Sequence, residues 1–453
     1  MAQRELKRVL RLPAVTFIAI GFTIGGGVFV FTGIVLNIVG PALPIAYALA
    51  VVPVFISMLP VAMLGSALPT TGANYRYPSR MVSPGLAFVG IWVYALASFV
   101  GQIPLYALGC AAYAHVYLPG VPPTAMAVGI VTFVFVINLL GVKLAAQVQG
   151  LFVIILISAL LYYAGAGIQA MNPEHFAHVF QKGSVNLMLG TALLTFTYLG
   201  ANGVVELGGE IVNPGKVIPA AFFIAFPVVL IIYTLVAVAT VGAAPMGMLS
   251  DAEEPLIRIC QHTCGRAGVF FFVTGGAVLA LITTLNALFI VGTKSLLMMV
   301  QDHLLPETLG RLSRRFGTPY VFLTVIWTLS VGGILSGFSL ETLAAYAALG
   351  GLIIFIPVQI ASVKLPVLYP EHYRRAAFKL RGIGLWVCPC LGVLMVVFFS
   401  IIILYDLKSL FKVACFAAFV FSGAAYYLWR KGRLRARGLR LEDLMKRQET
   451  WIG

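Results

Sequence analysis

Acidic residues are scarce in this 453-residue chain: Asp and Glu number 15 against 30 Lys and Arg, and charged residues of all kinds make up 10%. Hydrophobic residues make up 60%, more than a soluble fold of this length can bury, and no loop is long enough for a soluble domain. Histidine is rare as well. His115, His175, His178, His262, His303 and His372 all fall in loops or near the ends of apolar runs. The runs therefore hold no histidine–carboxylate metal cluster and no evident nucleophile with its base, which argues against a membrane-embedded enzyme and leaves no cofactor implied. No P-loop is present, so ATP-driven chemistry is not expected. The six cysteines include Cys260-x3-Cys264 and Cys388-Pro-Cys390, without the histidine company of a metal site, and are read as structural. Alternation of apolar and polar residues is absent too, which excludes a membrane β-barrel. No repeated filter motif suggests a channel.

Long apolar runs are what the chain has in abundance, each near or above the roughly 20 residues that cross a bilayer as a helix. About twelve are expected, near 14–39, 43–66, 84–113, 124–140, 146–169, 187–212, 218–242, 268–300, 320–337, 340–362, 386–404 and 408–429. The first is too long for a signal-peptide core and lacks a small-residue cleavage site, so it is expected to remain as span 1. The fold class expected is an all-α polytopic membrane protein in the cell (inner or plasma) membrane, its partner the lipid bilayer and its state a monomer or homodimer.

The net charge of +15 has a clear placement. Arg4, Lys7, Arg8 and Arg11 precede span 1, and Arg430, Lys431, Arg433, Arg435, Arg437, Arg440, Lys446 and Arg447 follow span 12. With twelve spans, every Lys and Arg except Lys182, Arg258, Arg266, Lys408 and Lys412 falls on the side shared by the termini. This asymmetry predicts cytoplasmic termini and an even span count. The basic tail reads as a topology signal in contact with anionic lipid, not as a nucleic-acid site.

The apolar stretches hold almost no carboxylate, yet Glu206 and Glu210 share one segment, Phe196–Pro214, with four glycines. A charge at membrane depth persists where it faces a protein interior or a water-filled path, and unwound backbone persists there only where it lines a cavity. Span 1 carries a second interruption, Gly21-Phe22-Thr23-Ile24-Gly25-Gly26-Gly27-Val28-Phe29. Three consecutive glycines are costly in a continuous helix. The two interrupted spans stand five apart, as in inverted-repeat transporters. Residues 14–169 (spans 1–5) are then one repeat and 187–362 (spans 6–10) the other. The appended spans are 386–429, and segments 1–13 and 430–453 are the cytoplasmic ends. A broken helix exposes N–H groups that suit a carboxylate and carbonyls that suit an ammonium or a metal cation.

At these residues the chain resembles the amino acid–polyamine–organocation superfamily of permeases. The span 1 string is similar to that family's glycine-rich break. Leu68-Pro69-Thr70-Thr71-Gly72-Ala73-Asn74-Tyr75-Arg76-Tyr77-Pro78 is similar to its loop after span 2. The most specific match is Phe196-x-Tyr198-x-Gly200 followed by Gly209-Glu210-Ile211-Val212-Asn213-Pro214-x-Lys216-x-Ile218-Pro219; Gln301-Asp302-His303-Leu304-Leu305-Pro306 resembles the exit from span 8. The resemblance extends to about residue 430.

The resemblance implies a leucine-transporter-like 5+5 inverted repeat with spans 1 and 6 broken, two further helices, and alternating-access transport of amino acids or related amines. A substrate carboxylate would meet Thr23, Gly25, Gly26 and Gly27; its amine would meet carbonyls near Ile20, Phe196 and Thr197. The contacts would continue through Tyr198 and Gly200 to Asn202. Phe196 falls at an aromatic gate and Tyr94 at a lining position. Asn202 stands where some members carry an acid, which tilts the expectation to neutral amino acids over cationic amino acids or polyamines. Leu156 stands where some sodium-independent members carry a lysine. Symport with Na+ or H+ and exchange all stay open. A sodium shell would use carbonyls of Gly21 and Ile24 with the hydroxyls of Thr283 and Thr284, although threonine in a membrane helix commonly bonds its own carbonyl three or four residues back. Glu206 is the proton candidate, four residues from Glu210 on one helix face. Glu210 is expected to shape the cytoplasmic gate, bonded to backbone or Lys216, while Lys294 either snorkels or pairs with a span 6 carboxylate.

Overall fold

A computed structural model describes residues 8–140, 145–245, 255–439 and 441, with the side chains of 145–149 left aside. Arg4, Lys7, Arg440, Lys446 and Arg447 of the expected cytoplasmic ends, and Gly141, lie outside the described residues.

All regular structure among the described residues is helical, apart from two isolated backbone bridges. Ten helical runs are long and apolar enough to cross a membrane. The elements that build the site are α1 (Leu12–Ile24), α2 (Gly27–Val39), α3 (Leu43–Ala67), α4 (Ala73–Met81), α5 (Pro84–Ala97), α6 (Ile103–His115), α7 (Pro123–Leu140), α8 (Ala145–Gln169), α9 (Gly183–Tyr198) and α10 (Pro214–Gly242). The second half adds α11 (Pro255–Thr263), α12 (Arg266–Phe270), α13 (Leu279–Gln301), α14 (Tyr320–Leu335), α15 (Leu340–Ile353), α16 (Phe355–Leu368), α17 (Pro370–Arg375), α18 (Gly384–Asp406) and α19 (Leu410–Ala436).

Three departures from straight helix shape the centre. The first run breaks where its glycines predict. Gly25 closes α1 at φ 29°, ψ −142°, a conformation that side-chain-bearing residues rarely adopt, and α2 restarts at Gly27. The second break follows α9. Its backbone tightens to a 3-10 turn over Leu199–Val204 and runs irregularly until Asn213, where Pro214 opens α10. Proline at this first turn is favoured, because its missing N–H would have had no intrahelical partner. The third departure is a π turn at Ser98–Gln102 joining α5 to α6. Such turns recur at functional sites, since the extra residue re-aims neighbouring side chains.

α10 packs along α3 and crosses α1. At that crossing the buried rings of Tyr47, Tyr198 and Tyr233 meet at centroid distances of 5.0–6.4 Å, with the Tyr47 hydroxyl 2.7 Å from Thr32 Oγ1. Aromatic packing with satisfied hydroxyls makes this a rigid joint beside both breaks.

Candidate functional site

The two breaks touch backbone to backbone. A Cβ on Gly200 would lie 2.0 Å from the Phe22 carbonyl oxygen and 2.7 Å from Thr23 Cα, and one on Gly203 would lie 2.6 Å from the Phe22 ring. Only glycine permits this approach. Tyr233 of α10 fastens the joint: its hydroxyl donates to the Thr23 carbonyl at 2.7 Å and to the Thr197 carbonyl at 3.3 Å. One side chain thus serves carbonyls that the interrupted helices leave without partners.

Beside this joint lies a cavity of about 140 Å3. Gly21, Thr23, Gly26, Gly27, Tyr94, Phe196, Thr197, Gly200, Asn202, Glu206, Thr283 and Thr284 all line it, so most expected site residues converge. Ile91, Leu199, Leu288, Val291 and Phe355 give it an apolar wall. Gly25 forms the break without lining the cavity, and Ile24 is buried outside it. Tyr198 faces away, its hydroxyl donating to the Tyr47 carbonyl at 3.2 Å.

Three buried oxygens among the lining residues have no hydrogen-bond partner: Gln102 Oε1, Asn202 Oδ1 and Glu206 Oε2. Their residues are 8%, 8% and 2% exposed. Buried acceptors left open are costly, so a cavity that gathers three of them is suited to a ligand or water bringing N–H or O–H donors. The other carboxylate oxygen of Glu206 is held by the Asn74 backbone N–H at 2.8 Å.

The threonine hydroxyls are already engaged. Thr283 Oγ1 donates to Leu279 and Ala280 carbonyls at 2.9 and 3.0 Å, and Thr284 Oγ1 donates to Ala280 at 2.8 Å. Thr284 Oγ1 also accepts the Gly26 N–H at 2.9 Å, which ties α13 to the span 1 break. The Gly21 carbonyl accepts the Gly25 N–H at 3.0 Å. Thr23 Oγ1 donates to Ala19 at 2.6 Å and Thr197 Oγ1 to Leu194 at 2.7 Å.

Phe196 packs on Phe31 with centroids 5.4 Å apart, and a Cβ on Gly351 would lie 2.7 Å from its ring. α4 reaches the cavity through Asn74, and the N-terminal segment is tied to the span 6 exit. Val9 and Leu10 donate to the Glu210 carbonyl at 2.9 and 3.0 Å, and Val212 donates to the Leu10 carbonyl at 2.8 Å. The Glu210 side chain lies outside the cavity, 3.6 Å from Lys294 Nζ, so of the two alternatives Lys294 pairs with a span 6 carboxylate. Asp302, 2% exposed, takes both guanidinium nitrogens of Arg80 at 2.6 and 2.8 Å and the Tyr75 hydroxyl at 2.6 Å.

Gln102, Tyr233, Asn74, Ser98 and Tyr106 escaped the sequence reading. Two of them carry a signal there: Asn74 within the string after span 2, and Gln102 as an amide in an otherwise apolar run.

This is the architecture of a membrane transporter site: two interrupted helices meeting beside a small cavity with open acceptors. The amino acid permease family profile matches residues 14–436, and the chain belongs to that family. It is 26% identical to the branched-chain amino acid permease BcaP of Bacillus subtilis (strain 168), over 87% of this chain and 88% of that one. It is equally identical to the methylthioribose transporter of the same organism, over 83% and 84%. Similarity at 26% also extends to the vacuolar cationic amino acid transporter 2 of Arabidopsis thaliana, over 81% of this chain and 61% of that one. The protein is a multi-pass membrane transporter and not an enzyme.

Proposed function

We propose that the chain carries an amino acid across the cytoplasmic membrane by alternating access, through the cavity between the two breaks. The observation that carries this reading is the backbone contact of Gly200 with Phe22 beside three open, buried acceptor oxygens. The Leu12–Ala67 run, 56 residues long and interrupted at Gly25 and Gly40, has length for two crossings. Tyr320–Leu335 is a shorter apolar helix. Counting both with the other nine runs supports twelve spans, and the paired breaks support the 5+5 repeat. The lysine and arginine asymmetry supports cytoplasmic termini.

A neutral amino acid is the preferred substrate. Its carboxylate would lie at the N-terminal end of α2 and its side chain on the wall of Ile91, Leu199, Leu288, Val291 and Phe355. BcaP, named for branched-chain substrates, is a relative consistent with this choice. Glu206 Oε2 favours a second reading. An open carboxylate oxygen one turn beyond Asn202 supplies the counter-charge a cationic substrate needs, and a cationic amino acid transporter is among the relatives.

Proton coupling through Glu206 has more support than sodium. The Gly26 N–H points at Thr284 Oγ1, presenting positive hydrogen where a cation would bind. Proteoliposomes with a panel of labelled amino acids, with and without sodium and a pH gradient, test all of this. Saturable uptake of leucine-like substrates unaffected by replacing sodium with choline is expected. Preferential uptake of lysine or arginine selects the second reading, and no saturable transport of any amino acid or amine defeats both. Glu206→Gln is expected to remove the pH dependence of uptake; full retention rules out the proton role.

A further inference from the structure

A second hollow, of about 490 Å3, opens beside the N-terminal segment and the start of α10. Arg8, Ser66, Asn213, Lys216, His372 and Arg375 are in its wall, so its basic groups come from three separate stretches of chain. Among the described residues, none that lines it is acidic. Among the described residues, neither Lys216 nor Arg375 has a carboxylate within ion-pair distance. The acid nearest in sequence, Glu371, is taken by Arg374 at 3.0 Å. Like charges drawn to one hollow repel within a Debye length, about 8 Å at physiological salt, and a bound anion reverses that sign. A guanidinium offers a planar fork to phosphate oxygens and an ammonium a compact point charge, so Arg and Lys together suit a phosphate group. The N-terminal end of the 29-residue α10 adds partial positive charge to this wall.

We propose that this hollow binds a phosphate-bearing anion, either the headgroup of an anionic phospholipid or free phosphate. Arg8 directly precedes Val9 and Leu10, whose N–H groups bond the Glu210 carbonyl, and Lys216 follows the same exit string. An anion held here fastens the N-terminal segment, the span 6 exit and α17 together. It therefore stabilises the form in which these three are held together, whatever substrate the cavity takes.

The test uses the purified full chain in phosphatidylcholine vesicles alone, with phosphatidylglycerol added, or with inorganic phosphate added. Thermal unfolding is followed by tryptophan fluorescence. Wild type is expected to be stabilised by phosphatidylglycerol or by phosphate. The double variant Lys216→Gln/Arg375→Gln is expected to need on the order of tenfold more ligand for the same effect. The control Arg311→Gln/Arg314→Gln, which removes the same charge from exposed positions outside the hollow, is expected to respond as wild type does. Stabilisation by phosphate alone assigns the site to a free anion; stabilisation by phosphatidylglycerol only assigns it to a lipid headgroup. No stabilisation of wild type by either, or equal loss in the control, overturns the proposal. If the double variant does not fold, Lys216→Gln alone is measured against the same control.

Discussion

Replacing Gly200 with alanine is the most direct challenge to the joint between the two breaks. The added methyl would stand 2.0 Å from the Phe22 carbonyl oxygen, 2.4 Å from its carbonyl carbon and 2.7 Å from Thr23 Cα. All three are backbone atoms, so no rotamer change relieves the contact. Restoring van der Waals separation requires the breaks to part by more than about 1 Å, and overpacking of this kind costs about 1–3 kcal/mol. Gly27→Ala is the matched comparison. Its methyl would meet Thr197 Cγ2 at 3.4 Å and the Tyr106 hydroxyl at 3.6 Å, both ordinary contacts. Gly27→Ala is therefore expected to keep wild-type thermal stability and to weaken substrate binding only through lost cavity space. Gly200→Ala is expected to lower both the unfolding midpoint and the initial rate of uptake into proteoliposomes. If Gly200→Ala matches wild type in stability and rate, the breaks do not bear on each other and the joint has no functional role.

Tyr233→Phe removes the hydroxyl shared by the Thr23 and Thr197 carbonyls while keeping the ring; a stability loss of about 0.5–1.5 kcal/mol with slower uptake is expected, read by thermal unfolding and transport of the same preparation. Arg80→Met leaves Asp302 as an uncompensated buried charge and is expected to cost about 3–5 kcal/mol, seen as loss of folded protein on size-exclusion chromatography, with Arg80→Met/Asp302→Leu recovering most of it. Gly351→Ala pushes a methyl to 2.7 Å from the Phe196 ring; the expected result is altered substrate affinity with the fold retained, and unchanged competition by a substrate panel would remove Phe196 from the gate.

The sequence reading found what local chemistry encodes. Three glycines in one span marked the break at Gly25 because few other residues adopt that backbone, and Phe196–Pro214 stood out because carboxylates and glycines are costly in an apolar helix. Most of the lining residues follow from those two segments. The omissions are non-local. Tyr233 and Tyr106 are ordinary members of apolar runs until α10 and α6 are packed against the breaks. Asn74 matters through a backbone N–H that no sequence pattern marks. Tyr198 enters the expected site through the Phe196-x-Tyr198-x-Gly200 match. The turn of the helix sends it instead to Tyr47 and Tyr233. For Glu210 the sequence leaves backbone, Lys216 or Lys294 as partner, and the packing of α13 against the span 6 exit brings Lys294 to it.

The polar contacts of the N-terminal segment, Glu210 and Asp302 differ in how easily they part. The N-terminal segment is held by three backbone hydrogen bonds, and the Glu210–Lys294 pair keeps 29% and 26% of its side chains exposed. Water replaces such contacts readily, so their combined net worth is about 2–5 kcal/mol. That is within the roughly 5.5 kcal/mol of differential affinity that moves a two-state equilibrium from one extreme to the other. The Arg80–Asp302–Tyr75 group is different. It is buried, and parting it would strand a charge, so α4 and the end of α13 travel as one body. Gly200 against Phe22, fastened by Tyr233, binds the two breaks to α10 in the same way. The N-terminal segment and the Glu210–Lys294 pair are the more easily parted of these contacts. The hollow at Arg8, Lys216 and Arg375 lies beside the N-terminal segment, so an anion bound there acts on the contacts that part more easily.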